Sequence, residues 1–191
     1  MKRLIKHSSI SSSQIIDTLQ FMKNELEMDF IVIGGAAYNL HVNIPTKDID
    51  VVVTWSSRIL NFEYEEKLEQ LFDYYTFDQN GEVNNFIYKD VPVTLLWPNV
   101  YYDIGEFKLN KMETENINGF EVLSLTQLMI NDWERKRHKR VINIIKQSNL
   151  SIDFIKNFND SFLRQRYLLN WEEANNVELD IEKAKKLING N

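Results

Sequence analysis

The chain has no cysteine, which excludes disulfide bonds, thiolate metal sites and cysteine nucleophiles. It is also short of backbone breakers, with three prolines and six glycines in 191 residues. No proline lies beyond Pro98, and after Leu123 the only glycine is Gly190. No apolar run approaches the roughly 20 residues that span a bilayer. The opening Met1-Lys2-Arg3-Leu4-Ile5-Lys6-His7 leads into serines without the apolar stretch and small-residue cleavage site of a secretion signal. The expectation is a soluble cytoplasmic protein with no membrane partner. Positive charge is in deficit too, with 22 Lys and Arg against 28 Asp and Glu, a net charge of -6. Overall charge therefore argues against nonspecific adhesion to nucleic acid. His7, His41 and His138 show no metal-ligand spacing, and His41 reads as a loop histidine between two motifs.

What is present has a clear order. Ser11-Ser12-Ser13 offers helix N-caps. Ile15, Ile16, Leu19, Met22 and Leu26 follow at helical spacing, so a helix is expected to end near Met28. Asp29-Phe30-Ile31-Val32-Ile33 is a short run rich in β-branched residues and predicts a buried strand. Gly34-Gly35 ends it, and a short helix from Ala36 to about Leu40 is expected next. After Pro45, Asp48-Ile49-Asp50-Val51-Val52-Val53 predicts a second strand. A helix is expected over 59–75, and Gln79-Asn80-Gly81 marks a turn. Asn84–Tyr88 and Val91–Leu96 predict two strands joined tightly at Lys89-Asp90. The pattern over 101–118 is mixed, with a turn at Asn118-Gly119. From Ser124 onward the patterns are helical. The composite is an α+β fold, a mixed sheet flanked by helices, with an α/β domain over 1–120 and a helical bundle over 121–191.

The chemistry gathers between Ile31 and Val51. A strand ending in two glycines lets the backbone turn sharply and approach a ligand closely. A helix opening there would aim its free N–H groups at the same place, which favours a phosphate. In a strand, Asp48 and Asp50 project to one face while Ile49 and Val51 take the other. Two carboxylates on one face repel unless a cation lies between them. Mg²⁺ often takes one or two carboxylates together with substrate phosphates. Separately, each motif has a bland reading of equal weight: a tight turn without a ligand, and a solvated strand end. The order strand, Gly-Gly, helix, acid-hydrophobic-acid strand is the specific signal. No Walker lysine follows Gly34-Gly35, and no serine sits in a nucleophile elbow.

Gly34-Gly35 followed by Thr46-x-Asp48-Ile49-Asp50 resembles the signature of the polymerase-beta-like nucleotidyltransferase superfamily. Within it, the layout is most similar to the AbiEii-type toxin family, in which a minimal nucleotidyltransferase domain is joined to a C-terminal helical part. The motif similarity covers about residues 30–53 and extends more loosely to about 142. The resemblance implies Mg²⁺ (or Mn²⁺) on Asp48 and Asp50, a nucleoside triphosphate donor, and phosphates held by Gly34, Gly35, Thr46 and Lys139. It also implies an RNA or protein acceptor and an antitoxin partner. Four positions depart from the pattern. Ile44 replaces a basic residue, and Thr94 stands where a third carboxylate is usual. Asp132 aligns with a lysine, and Lys139-Arg140 with a Lys-Asp motif. Asp90 shares strand parity with Thr94 but would lie roughly 13 Å along the strand.

The basic run Arg135-Lys136-Arg137-His138-Lys139-Arg140 has two readings, a solvated helix face or a contact to triphosphate or RNA, with Lys139 the residue expected to reach phosphate. The aromatics Trp133, Phe154, Phe158, Phe162, Tyr167 and Trp171 are expected in the bundle core. The sequence thus predicts a Mg²⁺-dependent nucleotidyltransferase, possessing toxin character if the family resemblance extends that far. The alternative is a nucleotide-binding module that kept the fold without catalysis.

Overall fold

The computed structural model describes residues 8–56, 60, 62–97, 113–134, 137, 140–141 and 143–144. The chain divides into two compact units, Met1–Ser124 and Leu125–Asn191. In the first, the expected mixed α+β sheet with flanking helices is present.

Helix α1 spans Ser12–Asn24. Its start is a capping box, in which the Ser11 hydroxyl accepts from the Gln14 N–H and the Gln14 side chain accepts from the Ser11 N–H. Its buried face is Ile15, Thr18, Leu19 and Met22. The helix stops at Asn24, short of Met28, because Glu27 takes a left-handed conformation (φ 48°) and Met28 already belongs to a strand. Strand β1 spans Met28–Ile33, α2 spans Gly34–Val42 and β2 spans Ile49–Ser56.

The expected helix over 59–75 is present in part, shorter than expected and followed by a strand. A 3₁₀ turn, Phe62–Tyr64, leads into the short α3, Glu65–Leu71, and then strand β3, Tyr74–Phe77. Aromatic and β-branched residues suit a strand better than a helix, and tertiary pairing decides the matter. Strands β4 (Val83–Tyr88) and β5 (Val91–Leu96) form the expected hairpin. Lys89 and Asp90 both have positive φ, as a two-residue hairpin turn demands. Asn118-Gly119 makes the same kind of turn between β6 (Thr114–Ile117) and β7 (Phe120–Leu123), two strands that the sequence pattern did not resolve.

The sheet order is β3-β4-β5-β2-β1-β7-β6. β1 runs antiparallel to β2 and parallel to β7, while β2 runs parallel to β5. Val32, Val51 and Val52 have no exposed surface, as central strands packed on both faces require. Helix α1 packs on β1 and β5, and α2 on β1 and β2. Toward the β3 edge, Phe72 stacks on Phe86 with ring centroids 4.3 Å apart, and Phe21 stacks on Tyr88 at 3.8 Å. β7 completes the sheet beside β1, so the first unit extends to Ser124.

In the second unit, α4 spans Leu125–Glu134, and residues 140–141 and 143–144 are helical. The rest of the expected helical bundle lies outside the described residues, as do Phe154, Phe158, Phe162, Tyr167 and Trp171. No helix among the described residues is long and apolar enough to cross a membrane.

The packing makes a stability prediction. Phe86→Ala removes a fully buried ring and should cost about 3–5 kcal/mol. Trp55→Ala, at a side chain 56% exposed, should stay within about 0.5 kcal/mol. Urea unfolding of the two variants tests this, and equal losses would contradict the assigned core.

Candidate functional site

The glycine bend and the acid strand meet because of the β1–β2 register, which sets Ile33 opposite Asp50. Gly34 is therefore the first residue past the strand on the level of Asp50. It adopts φ +63°, a left-handed conformation that costs an L-residue about 1–2 kcal/mol. A Cβ on Gly34 would lie 2.5 Å from Asp50 Oδ2 and 3.4 Å from its Cβ and Cγ. The Asp50 carboxylate thus rests against the bare Cα of Gly34, in space that any other residue would fill. Helix α2 begins at Gly34 rather than at Ala36, so both glycines belong to its first turn. Its N-cap residue, Ile33, makes no side-chain cap hydrogen bond. Its N–H groups and dipole favour a negative charge, and the Asp50 carboxylate is beside them.

Asp48 stands one residue ahead of β2, and it is exposed while Asp50 is half-buried. Strand alternation therefore does not place Asp48, as the sequence pattern had suggested. A turn at Thr46 does. The buried Thr46 hydroxyl donates to the Asp48 carbonyl at 3.1 Å and lies 3.4 Å from Asp48 Oδ1. Thr46 is itself tied down, since its carbonyl accepts from the Ile10 N–H at 2.9 Å. The loop before it is held by Asn39, whose amide donates to the Ile44 carbonyl at 3.0 Å and accepts from the Ser12 hydroxyl at 2.8 Å. Ile44, at the position expected to be basic, adds no charge here. Thr46 thus shapes the turn that presents Asp48. The structure brings Gly34 to Asp50 and Thr46 to Asp48, while Lys139 lies outside the described residues.

On the other side of Asp50, the parallel β2–β5 ladder sets it opposite Thr94, and β4 then sets Asn85 opposite Thr94. Thr76 on β3 completes the level. These neutral groups are joined. The Thr94 hydroxyl donates to Asn85 Oδ1 at 3.2 Å, and Asn85 Nδ2 reaches Thr76 Oγ1 at 3.2 Å and Asn84 Oδ1 at 3.1 Å. The sequence reading singled out Thr94 but not its partners. The signal available was Asn84-Asn85 inside a strand, where asparagine is disfavoured. Asp90 sits in the hairpin turn, exposed and outside the strand, and does not replace a carboxylate at Thr94.

Among the described residues no three His, Cys, Asp or Glu side chains group as a metal site. Asp48 and Asp50 offer two carboxylates, the protein share that Mg²⁺ often takes when phosphates supply further oxygens. His41 lies in the last turn of α2 rather than in a loop, with Nε2 2.9 Å from the Leu123 carbonyl. In the second unit, Asp132 takes two arginines of the basic run. Arg137 Nη1 lies 3.4 Å from Oδ1, and Arg140 Nε lies 3.3 Å from Oδ2 in ion-pair contact. Asp132 is 6% exposed, so this pairing compensates a buried charge.

A cleft of about 460 Å³ opens at the opposite end of β1, lined by Lys23, Asp29, Phe30, Phe120 and Glu121 among others. It is distinct from the acid pair, which lies where β1 ends. The shifted titrations also lie elsewhere. Burial and the neighbouring Asp78 raise the pKa of Glu82 in the β3–β4 turn.

No protein-family model and no curated protein matches the sequence. Solved structures do resemble the fold. An antigenic nucleotidyltransferase-like protein from Paracoccidioides brasiliensis matches at 17% identity and a TM-score of 0.49, over 92% of this chain and 95% of that one. A candidate nucleotidyltransferase from Thermotoga maritima matches at 16% identity and a TM-score of 0.45, over 75% of this chain and 98% of that one. A candidate nucleotidyltransferase from H. pylori matches at 11% identity and a TM-score of 0.41, over 94% and 95%. Likenesses at this depth assign the chain to no family.

The two glycines should behave differently. Gly34→Ala forces a left-handed alanine into the Asp50 carboxylate and should cost at least about 1–3 kcal/mol. Gly35 has no positive φ, so Gly35→Ala should cost less or stabilise by about 0.4–1 kcal/mol. Denaturant unfolding compares them, and equal losses would contradict the geometry assigned to Gly34.

Proposed function

We propose that this chain transfers a nucleotidyl group from a nucleoside triphosphate to an acceptor hydroxyl or other nucleophile, with Mg²⁺ or Mn²⁺ held by Asp48 and Asp50. One observation carries the reading: the Asp50 carboxylate lies against Gly34 at the N-terminus of α2, with Asp48 at the mouth of the same strand. A phosphate chain lying on the N–H groups of Gly34 and Gly35 would come within reach of both carboxylates. When bound, the divalent ion supplies neutralisation of charge on the departing pyrophosphate. Thr46 contributes by fixing the turn that presents Asp48. In the transfer, the acceptor atom bonds to the α-phosphorus and the bond to pyrophosphate breaks. With Thr94 at the level of Asp50, the acceptor's proton leaves to water rather than to a carboxylate on β5. Slow turnover is the expected consequence.

A second reading has its own support. The neutral Thr94, Asn85 and Thr76 row occupies the place of a third acid, which suits a nucleotide-binding module without catalysis. The resemblance to AbiEii-type proteins favours a toxin acting on an RNA or protein acceptor in the cytoplasm and controlled by an antitoxin. Lys139 would then be the basic residue nearest the family's phosphate contact.

Purified protein incubated with labelled nucleoside triphosphates, Mg²⁺ and RNA or protein acceptors should transfer label. Asp50→Asn should reduce that rate by about 100-fold or more. Equal rates in wild type and variant would refute the site, while Mg²⁺-dependent nucleotide binding with no transfer by either protein would establish the module reading.

A further inference from the structure

The hydroxyl of Thr94 has one proton and two lone pairs, so the side that holds its proton decides what it can offer Asp50. The hydrogen-bond distances fix this. Thr76 Oγ1 lies 2.6 Å from the Asn84 side-chain atom. That is short for an N–H···O bond, which falls at about 2.7–3.2 Å, and normal for an O–H···O bond. The Asn84 atom is therefore its carbonyl oxygen, and Thr76 is the donor. Asn85 approaches that same oxygen at 3.1 Å and must do so with its amide nitrogen, since two carbonyl oxygens would repel. Asn85 Oδ1 is then turned to Thr94 and takes its proton at 3.2 Å. A two-residue bulge explains why Asn84 and Asn85 both reach Thr76. Thr76 pairs with Asn85 and Phe77 with Val83, so the register shifts there.

The result is a one-way chain. Both Asn85 N–H groups and the Thr76 proton are committed within it, so the row has little left with which to read a ligand. What it determines is the orientation at its end. The Thr94 proton points toward β4, and its lone pairs point away from β4, on the side of β2 where Asp50 is the ladder partner. Adjacent strands are about 4.8 Å apart, within reach of one small cation between facing side chains. A hydroxyl held with its proton turned aside is a neutral hard-oxygen ligand.

We propose that Thr94 is a third, uncharged oxygen ligand of the divalent cation held by Asp48 and Asp50, and that Asn85 is the positioning residue that keeps it an acceptor. This rests on the reading of the acid pair as a cation site. An uncharged third ligand lowers the negative charge of the site by one unit relative to a carboxylate. It therefore predicts weaker metal binding than three acids would give, without predicting loss of the site.

The test uses the full chain and Mn²⁺ alone, titrated by electron paramagnetic resonance, with melting curves to establish folding. Thr94→Val, which keeps the shape and removes the oxygen, should weaken Mn²⁺ binding about tenfold, as should Asn85→Leu, while Thr94→Ser should stay within about twofold of wild type. If Asp50→Asn loses Mn²⁺ while Thr94→Val or Asn85→Leu binds like wild type, the role of that threonine or asparagine is overturned and the acid pair stands. If Thr94→Ser loses binding as Thr94→Val does, the hydroxyl is not the ligand. If Asp50→Asn binds like wild type, or wild type binds no Mn²⁺, the cation site itself fails.

Discussion

The contact between the Asp50 carboxylate and the bare Cα of Gly34 is the constraint on which the site depends. It requires two things at once. The backbone must take a left-handed turn immediately after β1, and nothing may project from that turn toward β2. Glycine alone meets both conditions at small cost. Once they are met, a helix can begin at the turn, and its N-terminus lies beside an acid on the neighbouring strand. A helix start whose N–H groups favour negative charge and a carboxylate then lie side by side.

The sheet topology extends that contact sideways. Because β2 is antiparallel to β1 and parallel to β5, one ladder level carries Ile33, Asp50, Thr94, Asn85 and Thr76 in sequence. Helices α1 and α2 pack on β1, β2 and β5. Along this level Thr94, Asn85 and Thr76 hydrogen-bond to one another. Asp48 is held by different means, through the Thr46 turn, the Asn39 amide and the Ser12 hydroxyl. One acid is rigid because it belongs to a central strand, and the other because a hydrogen-bonded loop presents it.

The neutral row has an electrostatic logic. A third carboxylate beside Asp50 would add repulsion that only a bound cation could offset. Threonine avoids that penalty and keeps an oxygen at that level of the sheet. The second unit treats a buried carboxylate differently: Arg137 and Arg140 both lie in ion-pair contact with Asp132. Two arginines of the basic run are engaged in that way.

Local chemistry was legible in the sequence. The Ser11 capping box, the β-branched run of β1, the Gly34-Gly35 bend, the acids before and within β2, and the turns at Lys89-Asp90 and Asn118-Gly119 all depend on neighbours a few residues away. The end of α1, the strand β3 and the edge hairpin β6–β7 were not, because the same residues suit helix, strand or loop until a partner strand is present. Nor was it legible that Asp48 is placed by a turn while Asp50 is placed by a strand. By itself, then, the sequence determined which residue types stand at the bend, the turns and the strands, since side-chain type, turn preference and strand period are local properties. Only the tertiary structure decided that Gly34 touches Asp50 and that Asn85 orients Thr94. Ladder register is set by burial and pairing between segments distant in the chain, and no local pattern contains it.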